Sequence, residues 1–279
     1  MTQNTQIIGL DEWLLTPPGR YLLAWEQQHL AGTVGDLFGF HAVQLGLPQL
    51  DVLAHNRMPH RWIALDRALP ASLGAAAGEN PAGPLALRPT PRALLTEFDA
   101  LPFETQSMDL VVMPHTLELA GDPHRTLREV DRVLVPEGRI IITGLNPASL
   151  WGMHDRINSL SSRLGFGQAF LPRHGDLLGY RRVRDWLRLL SFEVESGRFG
   201  CYLPPLRSQS WLDRLHWMDG AGERWWPVFG AAYFVVAVKR VRGMRLIGPA
   251  RKPRQQAQAA PAVVARKKPL DHSNGGSPA

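Results

Sequence analysis

The stretch from Met108 to Thr143 leaves few folds open. Two short apolar runs, Met108–Met113 (MDLVVM) and Arg139–Thr143 (RIIIT), suit strands covered on both faces. Between them is the clearest helical pattern of the chain. Asp122 is a good N-cap, Pro123 takes the first helical position, and Leu127, Val130, Val133 and Leu134 line one side, with Arg128, Glu129 and Arg132 largely elsewhere. Gly138 reads as its stop. Strand, helix and strand of these lengths form a βαβ unit, which needs a right-handed crossover and predicts a mostly parallel sheet.

The flanking segments extend that unit. His41–Gly46 (HAVQLG) and Arg61–Leu65 (RWIAL), the latter ending at Asp66, read as buried strands, and Arg92–Phe98 as another. Downstream, Arg181–Leu190 reads as an amphipathic helix with Val183, Trp186, Leu187 and Leu190 inward, followed by strands at Phe192–Ser196 and Tyr233–Lys239. A helical stretch after Pro17-Pro18-Gly19, with Tyr21, Leu22, Trp25 and Leu30 on a loosely apolar face, predicts an N-terminal cap. The Gly and Pro residues crowded into 68–91 predict an exposed loop. Residues 147–180 and 201–230 read as irregular lid or insert regions, the latter partly structured, and Trp211, Trp217, Trp225 and Trp226 are expected in the core because each ring buries a large apolar area. The organisation predicted is a helical cap over 1–35, an α/β domain over 36–242 and a tail over 243–279.

Composition narrows the class. A chain of 279 residues with 44% hydrophobic content can bury a full core. The N-terminal MTQNTQ has no basic region and no long apolar stretch follows, so neither a signal peptide nor membrane insertion is expected, and a cytoplasmic protein is the default. A single cysteine, Cys201, leaves no internal disulfide, and it reads as an ordinary packed residue. The net charge of +6 suggests nucleic acid until it is located: ten basic residues and one acid from Lys239 onward put +9 there and leave −3 on residues 1–238. Such a tail, rich in Ala, Gln and Pro, is expected to be disordered, and nucleic acid is expected only as a nonspecific partner of it. His55, His60, His115 and His124 lack the i,i+4 spacing of a helical metal pair, so no metal is expected.

The run Asp99-Ala100-Leu101-Pro102-Phe103, then Ser107-Met108-Asp109-Leu110-Val111-Val112, then a helix ending Arg132-Val133-Leu134-Val135-Pro136-Glu137-Gly138-Arg139, resembles the middle of class I S-adenosylmethionine (SAM) methyltransferases of the type 11 group. That family carries an Asp-x-Leu-Pro-Phe element, an Asp-Leu-Val strand and a Glu-x-x-Arg-Val-Leu-x-Pro-Gly-Gly helix end. Glu129 to Gly138 matches with one change, Glu137 for the first Gly. The resemblance covers residues 92–145. It implies a Rossmann-like α/β fold, a mostly parallel twisted sheet with helices on both faces and a C-terminal antiparallel strand. It also implies methyl transfer from SAM to a small or medium acceptor.

What the resemblance implies for single residues is uneven. Asp99 stands where the family's acid meets the adenine amino group, with the backbone of Ala100 and Leu101 beside the ring; read alone, Asp99 is a turn or cap residue beside Pro102. Asp66, 20 residues after Gly46, stands where an acid holds the ribose hydroxyls, and read alone it is a surface residue. The family's Asp-x-Gly-x-Gly-x-Gly loop is here Gln44-Leu45-Gly46-Leu47-Pro48-Gln49-Leu50, leaving Gly46 and Leu47 as its cofactor-facing backbone, while Pro48 lacks an N–H. His115 falls where the family lines its active site near the transferred methyl; as an alternative it caps the following helix. Two rival functions stand beside methyl transfer: a catalytically silent scaffold that binds a partner protein or other ligand, supported by the altered loop, and RNA modification, supported by the basic tail.

Overall fold

A computed structural model describes residues 10–66, 92–162, 170–171 and 177–240. The expected loop over 68–91 and the tail over 243–279 lie outside those residues. Two helices, α1 (Leu10–Leu14) and α2 (Pro17–Gly35), precede β1 (His41–Leu45). Thr16 starts α2 as an N-cap, its hydroxyl accepting from the Gly19 N–H at 3.4 Å, with prolines in the first turn where no N–H is missed. A 3-10 turn (Val52–His55), β2 (His60–Asp66), β3 (Arg92–Thr96) and β4 (Met108–Pro114) follow. Then come α3 (Thr116–Leu119), α4 (Pro123–Val133) and β5 (Leu134–Leu145). The chain continues with α5 (Leu150–Ser162), α6 (Tyr180–Leu189), β6 (Phe192–Gly200), α7 (Gln209–Leu215), α8 (Trp217–Trp225), a 3-10 turn (Pro227–Phe229) and β7 (Ala232–Lys239).

The strands form a single seven-stranded sheet in the order β3-β2-β1-β4-β5-β7-β6. β1 to β5 pair in parallel, and β7 runs antiparallel to both β5 and β6. This is the Rossmann-like class I arrangement the sequence implied. Period-two alternation sorts the strands' side chains between two cores. Ala42, Leu110, Val112, Ile141, Phe234 and Val236 pack under Leu22, Leu30 and Val34 of α2. Val43, Val111, Ile140 and Ile142, on the other face, pack under Val130 and Val133 of α4 and Val183 and Leu187 of α6.

Three readings need correction. Gly138 does not stop α4: the Asp122 carboxylate caps it as expected, accepting from His124 N at 3.0 Å and Arg125 N at 3.1 Å, but the helix ends at Val133. Leu134 already has extended backbone, and Pro136-Glu137-Gly138 lies within β5. Gly138 serves close packing instead, since a Cβ there would stand 2.8 Å from Leu134 Cγ and 2.9 Å from the Val135 carbonyl oxygen. Second, the stretch 147–180 holds the regular helix α5, while the connection 201–230, expected to be partly structured, holds α7 and α8. Third, Trp211, Trp217, Trp225 and Trp226 are 53–71% exposed rather than core. Among the described residues no helix is long and apolar enough to cross a membrane.

Candidate active site

In an open parallel sheet the ligand crevice lies beyond the strands' carboxyl ends, where the strand order reverses. Here that point falls between β1 and β4. Its floor is stitched by the Thr116 hydroxyl, which donates to the carbonyl of Leu45, the last residue of β1. The residues singled out from the sequence gather along this edge: Gly46 and Leu47 follow β1, Asp66 ends β2, Asp99 to Leu101 follow β3, and His115 follows β4.

The loop after β1 is built around Gln44. Its side chain is fully buried, and Nε2 donates to the carbonyls of Gly46 (3.0 Å), Leu47 (2.9 Å) and Leu50 (2.8 Å), while Oε1 accepts from Val52 N–H (3.2 Å). Only a neutral amide can both give and take in this way; a carboxylate accepts but cannot donate. Gly46 has φ +78°, and its N–H donates to the Ala64 carbonyl at 2.7 Å. A Cβ at Gly46 would come only into ordinary contact, 3.5 Å, with the Phe98 ring, so the glycine is kept by its backbone conformation. Leu47 also has positive φ (45°) and sends its side chain into the core at 3% exposure. The loop therefore closes upon a buried amide and a buried leucine instead of three glycines.

The β2 and β3 ends carry carboxylates. Asp66 is half-buried at the end of β2. Asp99 is exposed at the tip of a turn in which Ala100 N donates to the Glu97 carbonyl at 3.2 Å and the Thr96 hydroxyl to the Ala100 carbonyl at 3.0 Å. Arg125 stands 3.7 Å from the Asp99 carboxylate, an exposed pair of small energetic weight. The Ala100 peptide is thus satisfied internally, and the Leu101 side chain is buried. What holds this loop is the helix motif shared with the family: Glu129 Oε1 accepts from Leu101 N at 2.9 Å, and Arg132 Nη2 donates to the Leu101 (3.2 Å) and Phe103 (2.9 Å) carbonyls and to Glu129 (2.7 Å). The bond from Arg132 holds the Glu129 carboxyl below its ordinary pKa. The Asp-x-Leu-Pro-Phe and Glu-x-x-Arg elements are two halves of a single hydrogen-bonded unit.

His115 lies in a cluster that sequence reasoning missed. It has φ +52°, a left-handed conformation that strains a side-chain-bearing residue, and it is fully buried. Its Nδ1 is 2.9 Å from Glu118 Oε2 and its Nε2 is 2.9 Å from Glu26 Oε1, the latter reaching in from α2. Burial alone would push the imidazole pKa down, but the Glu26 and Glu118 carboxylates outweigh it and hold it up at about 10. The raised pKa favours the imidazolium, which is hydrogen-bonded to Glu118 and in ion-pair contact with Glu26. Glu118 Oε1 in turn accepts from the Leu145 N–H. Gly144 has no room for a side chain here, since a Cβ would sit 3.0 Å from Glu118 Oε1 and overlap the Tyr233 hydroxyl. One signal for Glu26 was available: it interrupts the buried stripe Leu22-Glu26-Leu30-Val34 at four-residue spacing on α2.

Between α2 and α7 a cavity of about 620 Å³ is lined by Arg20, Tyr21, Leu203, Gln209, Leu212 and His216, among others. Of these, Tyr21 donates its hydroxyl to Asp219, and burial pushes its pKa far up. Cys201 is buried, and burial likewise raises its thiol.

Residues 51–142 match the family model of a methyltransferase domain. Over that third of the chain it is similar to this family, and its sheet has the class I methyltransferase-like fold. Over 94 residues it is 39% identical to the uncharacterized protein YafS of Escherichia coli, covering 34% of this chain and 36% of that one. Over 52 residues it is 38% identical to demethylmenaquinone methyltransferase of Chlamydia pneumoniae, covering 19% and 23%. The matches thus span about a third and a quarter of the length of these curated relatives. Among solved structures, a SAM-dependent methyltransferase from Thermotoga maritima superposes with TM-score 0.54 at 16% identity, over 82% of this chain and 94% of that one. A chain from the Haloferax volcanii complex of the Trm112 activator with a methyltransferase gives 0.53 at 17% identity, over 84% and 97%. At such identities these two likenesses speak for the fold.

Proposed function

We propose that the protein binds SAM at the β1–β4 edge and transfers its methyl group to a small or medium acceptor. The observation that carries this reading is the joint presentation of Asp66 and Asp99 at adjacent strand ends beside Gly46, next to the reversal of strand order. Asp66 holds the ribose hydroxyls, since a carboxylate accepts two hydrogen bonds in a fork, and Asp99 accepts from the adenine amino group. The exposed Ala100 lies beside the ring, with Leu101 anchoring its loop from below, and Gly46 and Leu47 carry the backbone past the methionine end. SAM supplies a methyl on a sulfonium, an activated leaving group that needs no strong base. The protein's task is alignment, which alone contributes ~7–11 kcal/mol. The salt-bridged Glu26–His115–Glu118 cluster fixes α2 and the β4 end as a rigid wall for that alignment. The 620 Å³ cavity beside Tyr21 is of the size that admits a small-molecule acceptor, and the 201–230 segment that lines it acts as the acceptor lid.

The silent-scaffold reading draws on one observation: the Gly46, Leu47 and Leu50 carbonyls are all engaged by Gln44. A crystal structure with S-adenosylhomocysteine separates the two. Adenine within hydrogen-bonding distance of Asp99 and ribose on Asp66 are expected; a ligand seated elsewhere would remove the proposed site.

A further inference from the structure

The net charge of −3 on residues 1–238 is unevenly spread. The helices α4, with its capping Asp122, and α6 together carry seven arginines against four carboxylates, a net +3. Both cover the same face of the sheet, since Val130 and Val133 of α4 and Val183 and Leu187 of α6 enter a single core. They also touch, the His124 and Trp186 rings lying 3.7 Å apart between centroids. Of the exposed side chains on the two helices five are arginines, while Asp185 is the one carboxylate and Leu189 the one apolar group.

The acids of this region are already taken. Arg132 lies 2.7 Å from Glu129, Lys239 3.2 Å from Asp131, Arg184 3.8 Å from Asp185 and Arg125 4.0 Å from Asp122. On the neighbouring edge strand β6, Glu193 and Glu195 hold Arg240 and Arg139. Arg128, Arg181, Arg182 and Arg188 are thereby left exposed with no ion pair among the described residues. Arg181 and Arg188, seven apart, share one side of α6.

We propose that this arginine face binds the phosphate backbone of a nucleic-acid duplex. Unpaired guanidinium groups present forked donors that match phosphate oxygens. A specific protein partner needs an interface core that is apolar and depleted of charge, and Leu189 alone does not supply one. Stable docking on a bilayer needs apolar insertion as well as attraction, and the same shortage applies. Interfaces with nucleic acid, by contrast, are polar and strongly positive. Single strands are held by bases stacked on aromatic rings. No Phe, Tyr or Trp of the two helices is exposed, and Trp186 already lies against the His124 ring and, at 5.0 Å, the Arg182 guanidinium. A duplex backbone asks for cations and not for rings.

Fluorescence anisotropy of the full chain with a labelled DNA duplex of about 20 base pairs, between about 50 and 200 mM salt, tests this. The wild type should bind the duplex more tightly than a single strand of the same length. An Arg128→Gln/Arg181→Gln/Arg188→Gln variant, altered only at exposed positions, should keep its thermal transition. It should bind the duplex roughly tenfold or more weakly at the low-salt end and lose about 2–3 from the slope of log affinity against log salt. An Arg251→Gln/Lys252→Gln/Arg254→Gln variant, which removes as many cations from the C-terminal segment, should lose less affinity. No binding by the wild type, an unchanged slope in the face variant, or an equal or greater loss in the C-terminal variant would overturn the proposal. So would a single strand bound as tightly as the duplex. Poly-glutamate bound as tightly, and weakened alike by the face variant, would assign the face to an acidic polypeptide instead.

Discussion

Replacing Gln44 by Glu restores a carboxyl of the kind the family carries at this position, and the structure predicts that it damages the fold. The side chain is fully buried, and its two amide hydrogens serve three loop carbonyls at 2.8–3.0 Å. An ionised carboxylate supplies no donor and faces three carbonyl oxygens. Losing two net hydrogen bonds at about 1 kcal/mol each, with at least one stranded carbonyl at about 1–3 kcal/mol, gives a cost of about 3–5 kcal/mol. The pH dependence has a definite sign. Burial and the facing carbonyls raise the new carboxyl's folded-state pKa above its unfolded value near ~4.3, so the folded variant binds the proton more tightly. The protonated form, with one O–H donor, is therefore the better tolerated. The penalty is smallest below about pH 4 and grows as pH rises through the folded pKa, by up to about 1.4 kcal/mol per pH unit. Urea unfolding followed by far-UV circular dichroism at pH 5 and pH 7 measures both quantities. A variant within about 0.5 kcal/mol of wild type at pH 7, or equally destabilised at both pH values, would refute the role given to the amide.

Other outcomes follow from the same geometry. Asp66→Ala and Asp99→Ala should each weaken SAM binding by about 1.5–3 kcal/mol, as read by calorimetry on samples shown to be folded. Arg132→Ala frees the Leu101 and Phe103 carbonyls that anchor the Asp99 loop, so it should cost about 1–3 kcal/mol of stability and lower SAM affinity as well; loss of stability alone would show that the loop does not depend on it. The raised pKa of His115 makes its charged form stabilising, fully so below the unfolded value near ~6.5 and progressively lost as pH rises toward 10. Wild-type melting temperature should therefore fall over that window. A His115→Asn variant, which strands two buried carboxylates at about 3–5 kcal/mol, should lose that slope, and an unchanged slope would assign it to other groups.

The parts of this protein legible in its sequence are those where local pattern and tertiary context agree. The β4–α4–β5 unit was readable because Asp122 caps, Pro123 starts and Leu127, Val130 and Val133 face one core. Gly138 misled because Pro-Glu-Gly looks like a helix stop, whereas Glu137, at φ +64°, bends the chain within β5. α5 escaped because its apolar stripe Leu150-Met153-Ile157 faces outward, while Trp151 alone of its first turn carries a large buried ring. The same inversion hid the four exposed tryptophans, because a ring's propensity to bury does not say which rings the packing covers. At the site, aligned motifs gave the positions of Asp66, Asp99 and His115 but not their partners. Gln44 read as a lost acid, although its amide closes the loop that glycines would otherwise shape. Glu26 lies 89 residues from His115, and only the packing of α2 on the sheet edge brings the two together.

The central claim, that this edge of the sheet holds SAM, is tested most directly by isothermal titration of the full chain with SAM and with S-adenosylhomocysteine, on a sample shown to unfold cooperatively. One site with a dissociation constant below about 1 mM for at least one of them, weakened roughly tenfold or more by Asp99→Ala, is the predicted result. Absence of binding of either ligand at millimolar concentration would contradict it, and would leave the Gln44-closed loop as the mark of a scaffold that has given up its cofactor.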